Sequence, residues 1–222
     1  TGVQTCALPI SALGGAAGTF TITGGTFDNT TAAAITLARA GHSVHLCEAA
    51  PTVGGGCRTA ELSLPGYLHD VCAAAHPLAL ASPFFRTLDL PALGVEWAHA
   101  PAPVAHALQP GRSVVLERDI AATVAGLGPA GTGWLRLFEP LVADWPSLLP
   151  ELLRPVVHLP RHPVALAAFG LRALPSAEAL ARLALRDPGA AALFMGLAAH
   201  AMVRLDRPLT ASFGLVLGLL AH

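Results

Sequence analysis

Glu48 and the glycine-rich turn behind it are the residues best suited to chemistry. The stretch from Glu48 to Thr59 reads EAAPTVGGGCRT, so Gly54, Gly55, Gly56 and Arg58 follow closely behind a carboxylate. Glycines let a backbone approach a pyrophosphate closely, and an arginine offsets its charge through charge-assisted hydrogen bonds. A carboxylate ending a strand accepts hydrogen bonds from an adenosine ribose. Glu48 lies 23 residues after Gly25, near the roughly 20-residue spacing of a dinucleotide-binding βαβ unit. Gly25, Glu48, Gly55, Gly56 and Arg58 are therefore the candidate cofactor-binding residues. The plain alternative is a solvated carboxylate beside a flexible surface turn. The order of glycine, acid, glycines and arginine argues against it.

Such a site needs a strand, a helix and a second strand to hold it. Residues 32–40, AAAITLARA, are good helix formers, with Ala33, Ile35, Leu37 and Ala38 available for packing. Gly41 stands where a left-handed cap would end that helix. Residues 43–48, SVHLCE, read as a strand with Val44 and Leu46 on one face, and residues 21–23 are a short candidate for the strand before the helix. The helix N-terminus would offer amide hydrogens and the positive end of its dipole to the pyrophosphate.

The stretch 32–77 resembles the phytoene dehydrogenase-like branch of the FAD-dependent oxidoreductases, which is related more distantly to carotenoid desaturases and amine oxidases. The resemblance rests on AAAITLARAGHSVHLCEAAPTVGGGCRT and then on LPGYLHDVCAAAHP. It implies that the acidic residue, Glu48, and the glycine-arginine turn of Gly55, Gly56 and Arg58 contact FAD rather than NAD. It also places His76 in a region that borders the flavin, although a structural histidine explains that residue equally well.

The first glycine motif departs from the family pattern. Where Gly-x-Gly-x-x-Gly is expected, the chain reads Gly25-Thr-Phe-Asp-Asn-Thr30. Phe27 stands where a missing side chain should admit the pyrophosphate, and Thr30 where close helix-strand packing needs glycine. Residues 1–10 resemble a translated adapter remnant, and residues 1–23 are expected to be a non-native leader. The expected fold class is α/β: an incomplete Rossmann-type FAD-binding domain over 24–78, then part of a mixed strand and helix substrate domain over 79–222. In the latter, 83–90 reads as a short helix. Residues 95–98, 104–108 and 113–117 read as strands, with a turn at 109–112. From Asp119 the pattern is helical, with Asp187-Pro188 and, more weakly, Ser176 as helix starts.

Composition sets the remaining bounds. The chain is 53% hydrophobic and 12% charged, with a formal net charge of -1, so it has no electrostatic footprint for nucleic acid. Cys6, Cys47, Cys57 and Cys72 match no zinc or CxxC spacing and are expected to be free thiols. Pro160 between His158 and His162 spoils a helical metal face, so a surface loop is expected and no metal. Two uncharged stretches, 188–203 and 208–222, fall short of a membrane span and read as buried helices. The second runs to the last residue, so Leu215, Val216, Leu217, Leu219 and Leu220 are expected to lack part of their cover.

The expected function is that of an N-terminal fragment of a flavin-dependent dehydrogenase or desaturase. It would pass a hydride or electron pair from an apolar small molecule to FAD. No catalytic acid or base is assigned. Two alternatives stand beside it: an amine-oxidising flavoenzyme, and a truncated non-catalytic chain that binds no cofactor. A cytoplasmic location is expected, with peripheral membrane contact as the variant.

Overall fold

In a computed structural model, β3 (Ser43–Glu48) forms the centre of a three-stranded sheet. The structure describes residues 6–9, 19–23, 27–48, 51, 57–72, 75–155 and 157–222. One edge strand, β1 (Cys6–Pro9), runs antiparallel to β3, and the other, β2 (Thr19–Thr23), runs parallel to it. A parallel pair cannot be joined by a tight turn, and here α1 (Phe27–Arg39) makes the crossover. Both edge strands lie within the stretch read from sequence as a leader.

The helix is longer than the alanine-rich pattern suggested, because it starts five residues earlier, at Phe27. Its end is local chemistry. Gly41 takes the left-handed conformation at φ 87°, its amide bonds Ala38, and the His42 amide reaches back to Leu37. That pair of bonds is the Schellman arrangement, which satisfies carbonyls the helix would otherwise leave open. The packed face is Ala34 and Ala38, set against Val44 with Leu37 and Leu46 beside them. Ala33 is exposed instead. Four-residue spacing from Ala34 to Ala38 keeps two methyl groups in line, and their small size lets the helix lie close to the strand.

Beyond the glycine turn, β4 (Thr59–Glu61) and β5 (Leu68–Asp70) form an antiparallel hairpin. Its loop contains a four-residue turn at 64–67, with Gly66 at φ 84° after Pro65 and the Tyr67 amide bonded to Leu64. The chain divides into two compact units, 1–76 and 77–222.

The second unit is mostly helical. It starts with α2 (Pro77–Ala81), followed by a 3-10 turn at Phe85–Thr87. The helix read over 83–90 is thus absent as such. The Ser82 hydroxyl accepts from the Phe85 amide, and Pro91 opens a second 3-10 turn, Pro91–Leu93. Residues 95–98 are not a strand either: they follow Gly94 in the left-handed region and have no ladder partner among the described residues. The expected hairpin is present as β6 (Val104–Gln109) and β7 (Arg112–Leu116), turned at Pro110-Gly111 with Gly111 at φ 78°.

Seven helices follow: α3 (Ile120–Leu127), α4 (Gly131–Ala143), α5 (Trp145–Leu152), α6 (Pro163–Ala173), α7 (Ala177–Ala184), α8 (Pro188–Ala198) and α9 (Thr210–Ala221). The helix starts read at Ser176 and Asp187 are real caps, and Asp119, where the helical pattern begins, is a third. Asp119 accepts from the Ala121 amide, Ser176 from Ala179, and Asp187 from both Gly189 and Ala190. The Thr210 hydroxyl ties α7 to α9, accepting from the Ala177 amide while donating to Arg207.

Trp134 and Phe138, one helical turn apart on α4, stack at 4.5 Å in the core, and Phe194 of α8 meets Phe138 edge-on. Glycines on α9 make room for these rings. A Cβ at Gly214 would come within 2.7 Å of Phe194, and one at Gly218 would collide with Phe138. The same packing covers two of the five residues expected to lack cover on the last helix, and leaves the other three partly open. Leu215 and Leu219 are buried, Val216 and Leu217 pack partly buried against the core, and Leu220 is half-buried. Among the described residues no single helix is long and apolar enough to cross a membrane. The pair α6 and α7 has the composition of a span but bends by 97° between them, and both contribute buried residues to the core.

Trp134 is fully buried, and its indole N–H donates to His222 Nε2 at 3.0 Å. An imidazole can accept there only when that nitrogen is unprotonated, and burial pushes the His222 pKa down, favouring that form. A folded-state pKa below the unfolded one gives stability that is present above the ordinary histidine range and lost as pH falls through the lowered value. His222→Phe should therefore destabilise the chain by about 1–3 kcal/mol, the cost of an orphaned buried donor, and should flatten its stability between pH 7 and 5. Urea melts at the two pH values check this; an unchanged midpoint and an unchanged pH slope would show that the bond carries no stability.

Candidate functional site

The parallel register decides where the candidate residues lie. Thr23, the last residue of β2, pairs with Cys47, so Glu48 follows at the same end of the sheet as the junction between β2 and α1. Ligands of α/β sheets bind outside the carboxyl ends of parallel strands. The backbone thus brings the end of β3 and the start of α1 to the edge where a dinucleotide would lie.

The candidates differ in what the structure describes. Glu48 is placed by its backbone as the last residue of β3. Gly25, Gly55 and Gly56 lie outside the described residues. Arg58 is exposed directly before β4, and its carbonyl accepts from the Val71 amide at 2.8 Å. The hairpin is pinned further by the Thr59 hydroxyl, which donates to Asp70 at 3.0 Å, and by Ser63 and His69 at 2.7 Å. Arg58 therefore sits at the base of this hairpin. His76 is exposed at the end of the first unit.

Phe27 is the first residue of α1, and Thr30 stands in its first turn. The departure from the glycine motif therefore falls at the helix N-terminus, where amide hydrogens would face phosphate. Among the described residues no group of three or more His, Cys, Asp or Glu could hold a metal ion. Cys47, Cys57 and Cys72 are free thiols.

One polar cluster in the helical unit escaped sequence reasoning. Glu151 is buried, and its carboxylate accepts from His158 Nε2 at 2.6 Å and from the amides of Arg161 and His162 at 2.8 and 3.0 Å. His158 Nδ1 meets the Pro155 carbonyl at 2.7 Å. The two histidines thus belong to a structural clamp that closes the loop between α5 and α6. A signal was present: a lone acid inside an apolar helix, seven residues before a histidine, needs a partner if it is buried. The hydrogen bond from His158, helped by the two amides and opposed by burial, holds the Glu151 carboxyl below its ordinary pKa.

A lowered carboxyl pKa contributes stability above the unfolded value, and that contribution is lost as pH falls through the folded value. Glu151→Gln should lower stability at pH 7 and shrink its decline below the ordinary carboxylate range. Thermal melts from pH 7 down to 3 test this. Parallel curves for the two proteins would show that the clamp has no linkage to folding.

A model of NAD(P)-binding Rossmann-like domains matches residues 30–88. The match covers just over a quarter of the chain and includes Glu48, Gly55, Gly56, Arg58 and His76. It starts at Thr30, so the rest of the altered first motif, Gly25 to Asn29, lies outside it. No curated protein and no solved structure is similar enough to match. Mixed strands and helices, a parallel crossover and this match agree at one level: residues 30–88 are Rossmann-like dinucleotide-binding sequence of the kind found in oxidoreductases.

Proposed function

We propose that the chain contributes to a flavin-dependent oxidoreductase of the phytoene dehydrogenase-like type, with FAD held at the carboxyl end of β3. The observation that carries this reading is Glu48 closing the strand that runs parallel to β2, followed by the glycine turn and Arg58. The ribose end of a dinucleotide fits this edge, with Glu48 as acceptor for the ribose hydroxyls, Gly55 and Gly56 admitting the chain of phosphates, and Arg58 offsetting their charge. The phosphate end fits poorly at α1, where Phe27 and Thr30 occupy positions that close approach reserves for glycine. A bound flavin would supply the hydride acceptor; no residue of this chain is assigned to proton transfer. The substrate proposed is an apolar small molecule, in keeping with the apolar helical unit. Peripheral contact with a membrane is supported by Val157, Leu159 and Val164, each more than four-fifths exposed.

The poor fit at Phe27 is also what favours the non-catalytic alternative, so the test must separate the two. The 222-residue chain should purify without retained flavin. Phe27→Gly with Thr30→Gly should raise its FAD affinity, read by quenching of flavin fluorescence. In that background Glu48→Gln should weaken binding by about 10- to 150-fold, as loss of a hydrogen bond to a charged group costs about 1.5–3 kcal/mol. A chain that purifies yellow would contradict the first expectation. FAD affinity untouched by Glu48→Gln would remove the assigned site.

A further inference from the structure

The helical unit holds a cavity of about 490 Å3 walled by α4, α6, α7 and the turn into α8. Three of the chain's thirteen arginines, Arg136, Arg172 and Arg186, line it. The one carboxylate there, Asp187, is committed elsewhere. Its Oδ1 caps α8 by accepting from Gly189 and Ala190, and its Oδ2 faces Arg112 at 3.7 Å. Arg172 is half-buried and donates to the Ala168 carbonyl at 2.7 Å, which fixes it on α6. Arg136 and Arg186 are exposed, and no carboxylate among the described residues lies within ion-pair distance of either.

Arg136, Arg172 and Arg186 set three positive charges on the lining against the single carboxylate of Asp187, which leaves the cavity with an excess of positive charge that favours an anion. The first turn of α4, at Thr132 and Gly133, also lines this space, and its N-cap, Ala130, offers no side-chain acceptor. The helix dipole therefore adds positive potential on the same side. Gly133 makes the geometry feasible, since a Cβ there would come 2.5 Å from the Ala184 carbonyl and push α7 away. The rest of the lining is apolar: Leu137 and Leu180 are buried beneath it, while Leu183 is 75% exposed although it sits on the cavity wall.

We propose that this cavity binds a phosphate ester with an apolar tail. The phosphate is held by Arg136, Arg172 and Arg186, and the tail lies along Leu183. Forked guanidinium donors match the several oxygens of a phosphate dianion better than they match a single carboxylate. Leu183 offers the tail apolar surface on the cavity wall, 75% of it open.

Isothermal titration of the 222-residue chain at low salt tests the site with three probes: hexyl phosphate, inorganic phosphate and hexanoate. Hexyl phosphate should bind at least tenfold tighter than either of the others. Arg136→Ala and Arg186→Ala should each weaken it at least tenfold, with thermal melts confirming that these exposed positions leave the fold intact. Arg204→Ala, which removes a surface pair with Asp206, should change nothing. Leu183→Ser should weaken hexyl phosphate but not inorganic phosphate. Flotation with phosphatidic acid vesicles, lost in the Arg136→Ala and Arg186→Ala variants, would place the ester in a lipid headgroup; hexyl phosphate binding without flotation would make it a soluble ligand. No hexyl phosphate binding at millimolar concentration, binding indifferent to both arginines, or equal affinity for inorganic phosphate would each overturn the proposal.

Discussion

Parallel pairing of β2 with β3 is the constraint on which the reading of the first unit depends. Strands that run side by side in one direction must be joined by a crossover, and α1 supplies it. Once Thr23 is paired with Cys47, the strand end at Glu48 and the helix start at Phe27 must share one edge of the sheet. The packing that holds this together is small: Ala34 and Ala38 of α1 against Val44 of β3. Alanine methyl groups bury little surface, so they contribute less than larger side chains would, but they allow close approach of helix to strand. The site's position is thus a consequence of register, while its firmness rests on a modest apolar contact.

The second unit is built on a different principle. Large rings from α4 and α8 fill the centre, and α9 meets them through Gly214 and Gly218, where any side chain would collide. Bulk on one helix and its absence on another give close packing. The same device at Gly133 brings α4 against α7 beside the arginine-lined cavity. The buried polar groups among the described residues of this unit are committed: Thr123 bonds the Glu117 backbone, Thr210 joins two helix starts, and Glu151 closes the α5–α6 loop.

Features set by neighbouring residues were legible in the sequence. Ser176 and Asp187 act as caps through amides two or three positions ahead, Gly41 ends α1, and Pro110-Gly111 turns the hairpin. Features set by distant partners were not. Residues 95–98 have a strand-like pattern but find no ladder partner among the described residues. The helix α9 that carries the buried Leu215 and Leu219 packs against α2, α4, α6, α7 and α8, whose approach no local pattern announces. His158 and His162 read as surface loop residues, yet one side chain and one amide are bound to a carboxylate buried in the preceding helix. Of the candidate site, the order of glycine, acid, glycines and arginine was readable as sequence. What needed the structure was that β2 lies parallel to β3, since the strand before the helix was short and weakly patterned.

The central claim is that the carboxyl end of β3 is a dinucleotide site, and amide NMR shifts on titration with ADP test it most directly. ADP carries the ribose and diphosphate common to nicotinamide and flavin dinucleotides, and the method registers millimolar binding, so a poor phosphate turn does not hide it. The account predicts saturable shifts at Cys47, Glu48 and the first turn of α1, abolished by Glu48→Gln. Saturating ADP that leaves the amides at the end of β3 unmoved would contradict it, whatever shifts occur in the helical unit.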